Sequence, residues 1–262
     1  MEKNKELIKA NQELDRFVYS ASHDLRSPLA SIAGLIELSK RDPQSQNDYL
    51  KLMMSRVNVM DKFIRDIIDY ARNARLPAAK EILNLHTLCN QVIENVKYLD
   101  VTKSPEIKVV MEKEFLVFSD PARLQVILNN LISNAVKYAD VNKELISITI
   151  TANKSARVFS FSVEDNGIGI SEQHQDKIFN MFYRASESAT GSGLGLYIVK
   201  ESLEKLKGSI TCKSEPGKGS VFTVTIPMVW GDFLIESFAH GYFLISIFAV
   251  LWQTRKIIFL KT

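Results

Sequence analysis

YSASHDLRSPLASIAGL, residues 19–35, reads as helix, and it decides the N-terminal part of the fold. Leu14, Val18, Ala21, Leu25, Ile32 and Leu35 recur at alternating spacings of four and three, with Pro28 filling the missing place. That is a heptad seam, and it extends backward through Asn11 to Leu7. A polar Asn on a seam fixes register at some cost in stability. His23 lies off the seam. Its helical neighbours are Tyr19, Ser20, Arg26 and Ser27, so the spacing predicts an imidazole facing water. A helix built to pair, yet exposing an imidazole, offers that residue to something outside itself.

A break follows at Asp42-Pro43-Gln44-Ser45, and then Leu50, Met53, Val57, Met60, Ile64, Ile67 and Ala71 repeat the spacing. Two long amphipathic helices joined by a short loop predict an antiparallel hairpin. One hairpin leaves an apolar face uncovered, so the expected assembly is a homodimeric four-helix bundle. Past Leu76-Pro77 the periodicity changes. ISITIT (146–151) and VFSFSV (158–163) alternate as strands do, and helical stretches lie around 85–97, 120–138 and 194–206. Strands around 209–214 and 220–226 close the segment at Pro227. The mixture predicts an α/β layer domain.

Residues 229–262 form a hydrophobic tail. Phe233 to Trp252 is apolar apart from Glu236 and His240, about the ~20 residues that cross a bilayer, and Arg255 and Lys256 follow. A docked or non-native extension, an interfacial helix and a true span are all open for it, so membrane contact is left undecided. The 262 residues suffice for one large or two ordinary domains, and 46% are hydrophobic. A net charge of +3 gives no electrostatic case for nucleic acid. Cys89 and Cys212 make neither a disulfide framework nor a zinc site, which suits a cytoplasmic setting. The polar opening MEKNKELIKANQEL lacks the apolar stretch of a signal peptide, so no targeting is expected there.

Three further stretches carry chemistry. In DNGIGI (165–170), Asp165 follows a strand, and Gly167 and Gly169 let the backbone turn tightly against a ligand. A buried carboxylate there can accept a hydrogen bond from an exocyclic amine such as that of adenine; an ordinary Asp-Asn-Gly turn has the same sequence. In GSGLGLYIVK (191–200), Gly191, Gly193 and Gly195 open a helix whose free N–H groups suit a polyphosphate. In LQVILNNLISNAVKY (124–138), Asn130 and Asn134 stand one turn apart, where two amide oxygens can ligate Mg²⁺. Lys137 can reach a phosphate and Tyr138 can flank a base. Each residue alone also fits the polar face of an amphipathic helix.

In order, SHDLRSPL (22–29), the Asn helix, DNGIGI, IFNMFYRA (178–185) and GSGLGL resemble the H, N, G1, F and G2 boxes of the sensor histidine kinases. GKGSVFTVTIP (217–227) looks like that family's closing strands. The resemblance covers residues from about 8 to 228 and implies an α+β chain. Residues 1–76 would be the helical dimerisation and phosphoacceptor domain. Residues 77–228 would be an α/β sandwich ATP-binding domain of the histidine kinase, chaperone and topoisomerase ATPase type. By resemblance, His23 is the phosphoacceptor, Asp24 takes its proton, and Arg184 offsets charge on the transferred phosphate. Asn130 and Asn134 are assigned to Mg²⁺, Lys137 to phosphate, Tyr138 to the nucleotide and Asp165 to adenine. Gly167, Gly169, Gly191, Gly193 and Gly195 shape the ATP pocket rim.

Pro28 removes a backbone donor and is expected to bend or loosen the helix near His23. The implied partners are a second copy of the chain and the receiver domain of a response regulator. Ser27 stands where many relatives carry Thr or Asn, which puts phosphatase activity in doubt. Two other readings compete: a different ATPase sharing the nucleotide fold, and a non-catalytic dimeric scaffold that binds nucleotide. His86 and His174 read as surface or helix-end residues, and with His240 they have no metal-ligand spacing.

Overall fold

The computed structural model describes residues 2–75, 78–96, 104–155, 157–185 and 192–228; Gly191 and the tail at 229–262 lie outside them. Two compact units divide the chain. One comprises Met1–Leu76 with Asp176–Ile198, the other Pro77–Gln175 with Val199–Thr262.

In the first unit, α1 (Glu2–Arg41) and α2 (Gln46–Arg75) pack on one another, joined by a 3-10 turn at Pro43–Ser45. The Asp42 N–H still bonds to the Leu38 carbonyl at 2.9 Å, while its carboxylate accepts from Gln44 N at 3.2 Å and starts the turn. Pro43 follows at the turn's first position, where a missing N–H costs nothing. α1 runs unbroken through Pro28, which is buried on the α2-facing side of the seam pattern along with Ala21. On α2, Phe63 is buried although it lies off the expected seam track. Met53, Met60 and Ile67 are half-buried, whereas Leu50, Val57 and Ile64 are exposed. One neighbouring helix covers only one flank of each apolar stripe.

The second unit is built on a five-stranded sheet of order β2-β4-β5-β7-β6, from β2 (Glu106–Val110), β4 (Ser147–Lys154), β5 (Val158–Asp165), β6 (Ser209–Glu215) and β7 (Gly219–Pro227). β2 pairs parallel to β4 and the other pairs are antiparallel. β1 (Glu81–Asn84) and β3 (Leu116–Ser119) form a separate antiparallel ribbon. The helices are α3 (Leu85–Val96), α4 (Pro121–Lys137), the short α5 (Glu172–Gln175) and α6 (Gly195–Lys205). α4 buries Leu124, Ile127, Leu128, Leu131, Ile132, Ala135 and Val136, the stripe of a helix packed on a sheet. Each large aliphatic so buried contributes about 1.5–3 kcal/mol. Phe159, Phe161 and Val163 of β5 are buried, while Ser160 and Ser162 alternate to the other face. The buried Leu and Ile residues of α4 thus fix which side of that helix carries Asn130 and Asn134.

Asp120 anchors the start of α4. Its carboxylate accepts from Arg123 N at 3.0 Å and from Ala79 N at 2.9 Å, and it pairs with the buried Arg123 guanidinium. Replacing Asp120 by Ala removes a buried charge partner of Arg123 and the N-terminal cap of α4 together, so urea unfolding is expected to show a loss of about 3–5 kcal/mol. Both cysteines are free thiols. Burial pushes the Cys89 thiol up to about 12; burial and the nearby Asp165 charge push Cys212 up to about 11. Neither is a thiolate at neutral pH. Among the described residues, no helix is long and apolar enough to cross a membrane.

Candidate functional site

The second unit brings the end of α4 to the loop that follows β5. Asn130 and Asn134 project from the less buried side of α4, both half-buried. Asn130 Nδ2 donates to Val126 O at 2.9 Å, which directs the amide nitrogen to the helix and leaves its oxygen for other partners. Lys137 Nζ donates to the Tyr138 hydroxyl at 2.9 Å and sits 4.5 Å above the Tyr138 ring centroid. Tyr138 caps α4, and its carbonyl accepts from Ile168 N at 3.0 Å. A Cβ on Gly167 would lie 2.3 Å from that same carbonyl oxygen, so the close approach requires glycine. The helix end and the DNGIGI loop are thus one packed object.

Asp165 is the last residue of β5 and is half-buried. Its Oδ1 accepts from Gly167 N at 2.8 Å. Burial raises its pKa above the ordinary aspartate value, opposed by the backbone N–H bonds from Gly167 and Ser220 and by the Lys143 charge. A desolvated carboxylate with lone pairs to spare suits an amine donor. Gly169 takes a positive φ of 70° and backs onto the Glu215 carbonyl.

The first unit holds the imidazole. The His23 side chain is 70% exposed, as the helical spacing predicts, and its Nδ1 lies 3.2 Å from Asp24 Oδ1. Arg184 Nη2 reaches the same carboxylate, 3.4 Å from Oδ1 and 3.5 Å from Oδ2. Arg184, distant in sequence, thus meets the adjacent His23–Asp24 pair at the Asp24 carboxylate. Within the same unit, Phe182 has a φ of 61°, unusual for an aromatic residue. Its N–H donates to Gly193 O at 3.1 Å, and a Cβ on Gly193 would lie 2.7 Å from the Phe182 carbonyl carbon. Phe182 and Gly193 are held back to back, and Gly195 then opens α6.

Residues 13–75 match the family model for the His Kinase A (phospho-acceptor) domain. Residues 119–229 match that for the histidine kinase-, DNA gyrase B-, and HSP90-like ATPase. The chain belongs to the sensor histidine kinase family. It is 31% identical over 229 residues to the phytochrome-like protein Cph1 of Synechocystis sp., covering 85% of this chain and 30% of that protein. It is 32% identical over 231 residues to the aerobic respiration control sensor protein ArcB of Escherichia coli, covering 84% of this chain and 29% of that one. The chain thus spans less than a third of the length of these curated relatives. Among solved structures, histidine kinase ThkA in complex with response regulator protein TrrA shares the fold. Its TM-score is 0.65 at 22% identity, covering 87% of this chain and 66% of that one.

This member of the family also carries contacts that motif reading does not reach. Ser192 Oγ donates to Asp66 Oδ2 at 2.7 Å, and Phe17, Tyr70, Phe182 and Tyr197 form a chain of ring contacts with centroids 5.5 to 6.0 Å apart. Asp66 and Tyr70 sit one turn apart on α2, a spacing visible in the sequence, but Phe17, Ser192 and Tyr197 reach them from distant parts of the chain. Lys143 Nζ donates to Asn166 O at 2.6 Å and to Gly217 O at 2.8 Å. In sequence it is an ordinary lysine in a polar turn.

Proposed function

We propose that this chain is the transmitter of a two-component sensor, an ATP-dependent protein-histidine kinase. It phosphorylates His23 and passes the phosphoryl group to an aspartate of a response regulator. The observation that carries the reading is the exposed His23 imidazole with Asp24 on its Nδ1 and Arg184 on Asp24. A carboxylate at Nδ1 favours the tautomer with its proton there, which leaves the Nε2 lone pair facing outward. Nε2 attacks the γ-phosphorus, an N–P bond forms, the bond to the β-phosphate oxygen breaks, and ADP leaves. Asp24 receives the ring proton. Arg184, beside Asp24, would offset charge that builds on the phosphoryl oxygens.

In this reading residues 1–76 are the phosphoacceptor domain and residues 77–228 the catalytic domain. Asp165 accepts from the adenine amine, Tyr138 flanks the base, Lys137 binds phosphate, and Gly167, Gly169, Gly191, Gly193 and Gly195 form the pocket rim. The half-buried amide oxygens of Asn130 and Asn134 suit a hard cation, and they would hold Mg²⁺. When bound, Mg²⁺ neutralises charge on the phosphates. Dimerisation follows from the helical hairpin, which leaves Leu29, Ile36, Leu50, Met54, Val57 and Ile64 exposed in a single copy. The response regulator as partner is supported by the family and by the fold neighbour held with one.

The test is Mg²⁺-dependent incorporation of label from γ-labelled ATP, followed by addition of a receiver domain. Asn134→Ala is expected to lower incorporation at least about 100-fold, since charge neutralisation at the phosphates supplies much of the catalysis. Tight nucleotide binding by the wild type with no label at any Mg²⁺ concentration would support the scaffold reading instead.

A further inference from the structure

We propose that Lys143 is a positioning residue for base recognition: its ammonium, seated on the Asn166 and Gly217 carbonyls, holds the loop that presents Asp165 to adenine. The inference rests on the adenine role given above to Asp165. It concerns a residue outside every motif that identifies the family.

The loop after β5 is tied from three sides. The Asn166 side chain donates to Leu145 O at 2.8 Å and accepts from Ser147 N at 2.9 Å. Ile168 N donates to the Tyr138 carbonyl at the end of α4, and Ile168 O accepts from Gly217 N at 2.8 Å in the β6–β7 turn. Lys143 joins these segments through one group. Its backbone closes a turn begun by Asp140, with Lys143 N on Asp140 O at 3.1 Å and Asn142 N on Asp140 Oδ1 at 3.0 Å. From there Nζ spans to Asn166, next to Asp165, and to Gly217 across the loop. An ammonium has three donors and no acceptor, so it suits a place where carbonyl oxygens converge. A neutral apolar side chain would remove the donor that both carbonyls share.

The same ammonium acts on Asp165 through space. The charged and titratable groups bearing on that carboxyl are Glu164 beside it on β5, Cys212 on β6 and Lys143 from the loop after α4. Burial and Glu164 favour the protonated form, whereas Lys143 favours the carboxylate. Only the carboxylate accepts from an amine with both oxygens. Removing the Lys143 charge therefore raises the Asp165 pKa further, and loss of binding on acidification begins at a higher pH.

The experiment measures affinity of the full chain for ADP and GDP, with Mg²⁺, from pH 5 to pH 8. Lys143→Met and Lys143→Gln are run together, so that the result does not depend on one variant folding, with Lys143→Arg and Asp165→Asn beside them. For both neutral variants ADP affinity is expected to fall about tenfold, the effect of a lost charge-assisted contact. Preference for ADP over GDP shrinks, and the acid limb moves to higher pH. Lys143→Arg keeps the charge and restores the limb. Equal weakening of ADP and GDP with an unmoved acid limb overturns the proposal, as does wild-type behaviour of both neutral variants while Asp165→Asn loses adenine preference. If Asp165→Asn itself binds and selects as the wild type does, the adenine role of Asp165 fails instead.

Discussion

His23→Gln is expected to abolish labelling from γ-labelled ATP while leaving nucleotide affinity unchanged. His23 is 70% exposed at its side chain and sits on a helix surface rather than in the core, so the substitution removes a nucleophile without opening a cavity. Gln keeps helix propensity, and its amide has no lone pair of comparable nucleophilicity. The neighbouring substitution has a graded effect. Asp24→Asn keeps the shape of the side chain but removes the anion beside Nδ1 that Arg184 also meets, the group proposed to take the ring proton. Its rate is expected to fall about 10²–10⁴-fold, the usual worth of a positioned general base. Equilibrium binding of ADP checks that neither variant has lost its nucleotide site.

Gly167→Ala is expected to lower ATP affinity about 10–100-fold, the range for losing a hydrogen bond to a charged group. A Cβ at that position would stand 2.3 Å from Tyr138 O and 2.9 Å from Asp165 Oδ1. Backbone must then move, because the nearest obstacle is a carbonyl that caps α4 and not the far end of a flexible side chain. The bond from Ile168 N to that carbonyl and the bond from Gly167 N to Asp165 are the first to be disturbed. Both hold the carboxylate proposed to meet the base. Gly34→Ala is the matched control: Gly34 lies on α1 with nothing within 4 Å of its would-be Cβ. Titration calorimetry with ADP separates the two: affinity falls for Gly167→Ala and holds for Gly34→Ala.

Where the sequence repeats a strong period, the fold is readable from it. The seven buried apolar positions of α4 follow the helical period closely enough to mark the helix and the face left for the two asparagines. VFSFSV alternates as β5 does, with phenylalanines inward and serines outward. β1 and β3 are different. They are four residues each, and Glu81 meets Ser119 across nearly forty residues of chain, so the pairing that makes them strands is not local. Phe63 is hidden from seam reading for a related reason. The heptad track marks the centre of an apolar stripe, while burial depends on which flank the other helix covers. Pro28 is accommodated within a continuous α1 rather than ending it.

The site divides in the same way. His23, Asn130, Asn134, Asp165 and the glycines are legible because their spacing on a helix or after a strand already implies chemistry. The meeting of Arg184 with Asp24, of Ser192 with Asp66, and of Lys143 with two distant carbonyls is not legible. Each is a tertiary contact between polar residues whose local sequence is that of ordinary surface.

The most direct measurement is to incubate the wild-type chain with γ-labelled ATP and Mg²⁺, then to locate the phosphoryl group by peptide mapping at alkaline pH. The account predicts label on His23 that is lost in acid and stable in base, as an N–P bond requires. Label stable to acid and mapped to a hydroxyl residue, or no label on a chain that binds ATP, would contradict it.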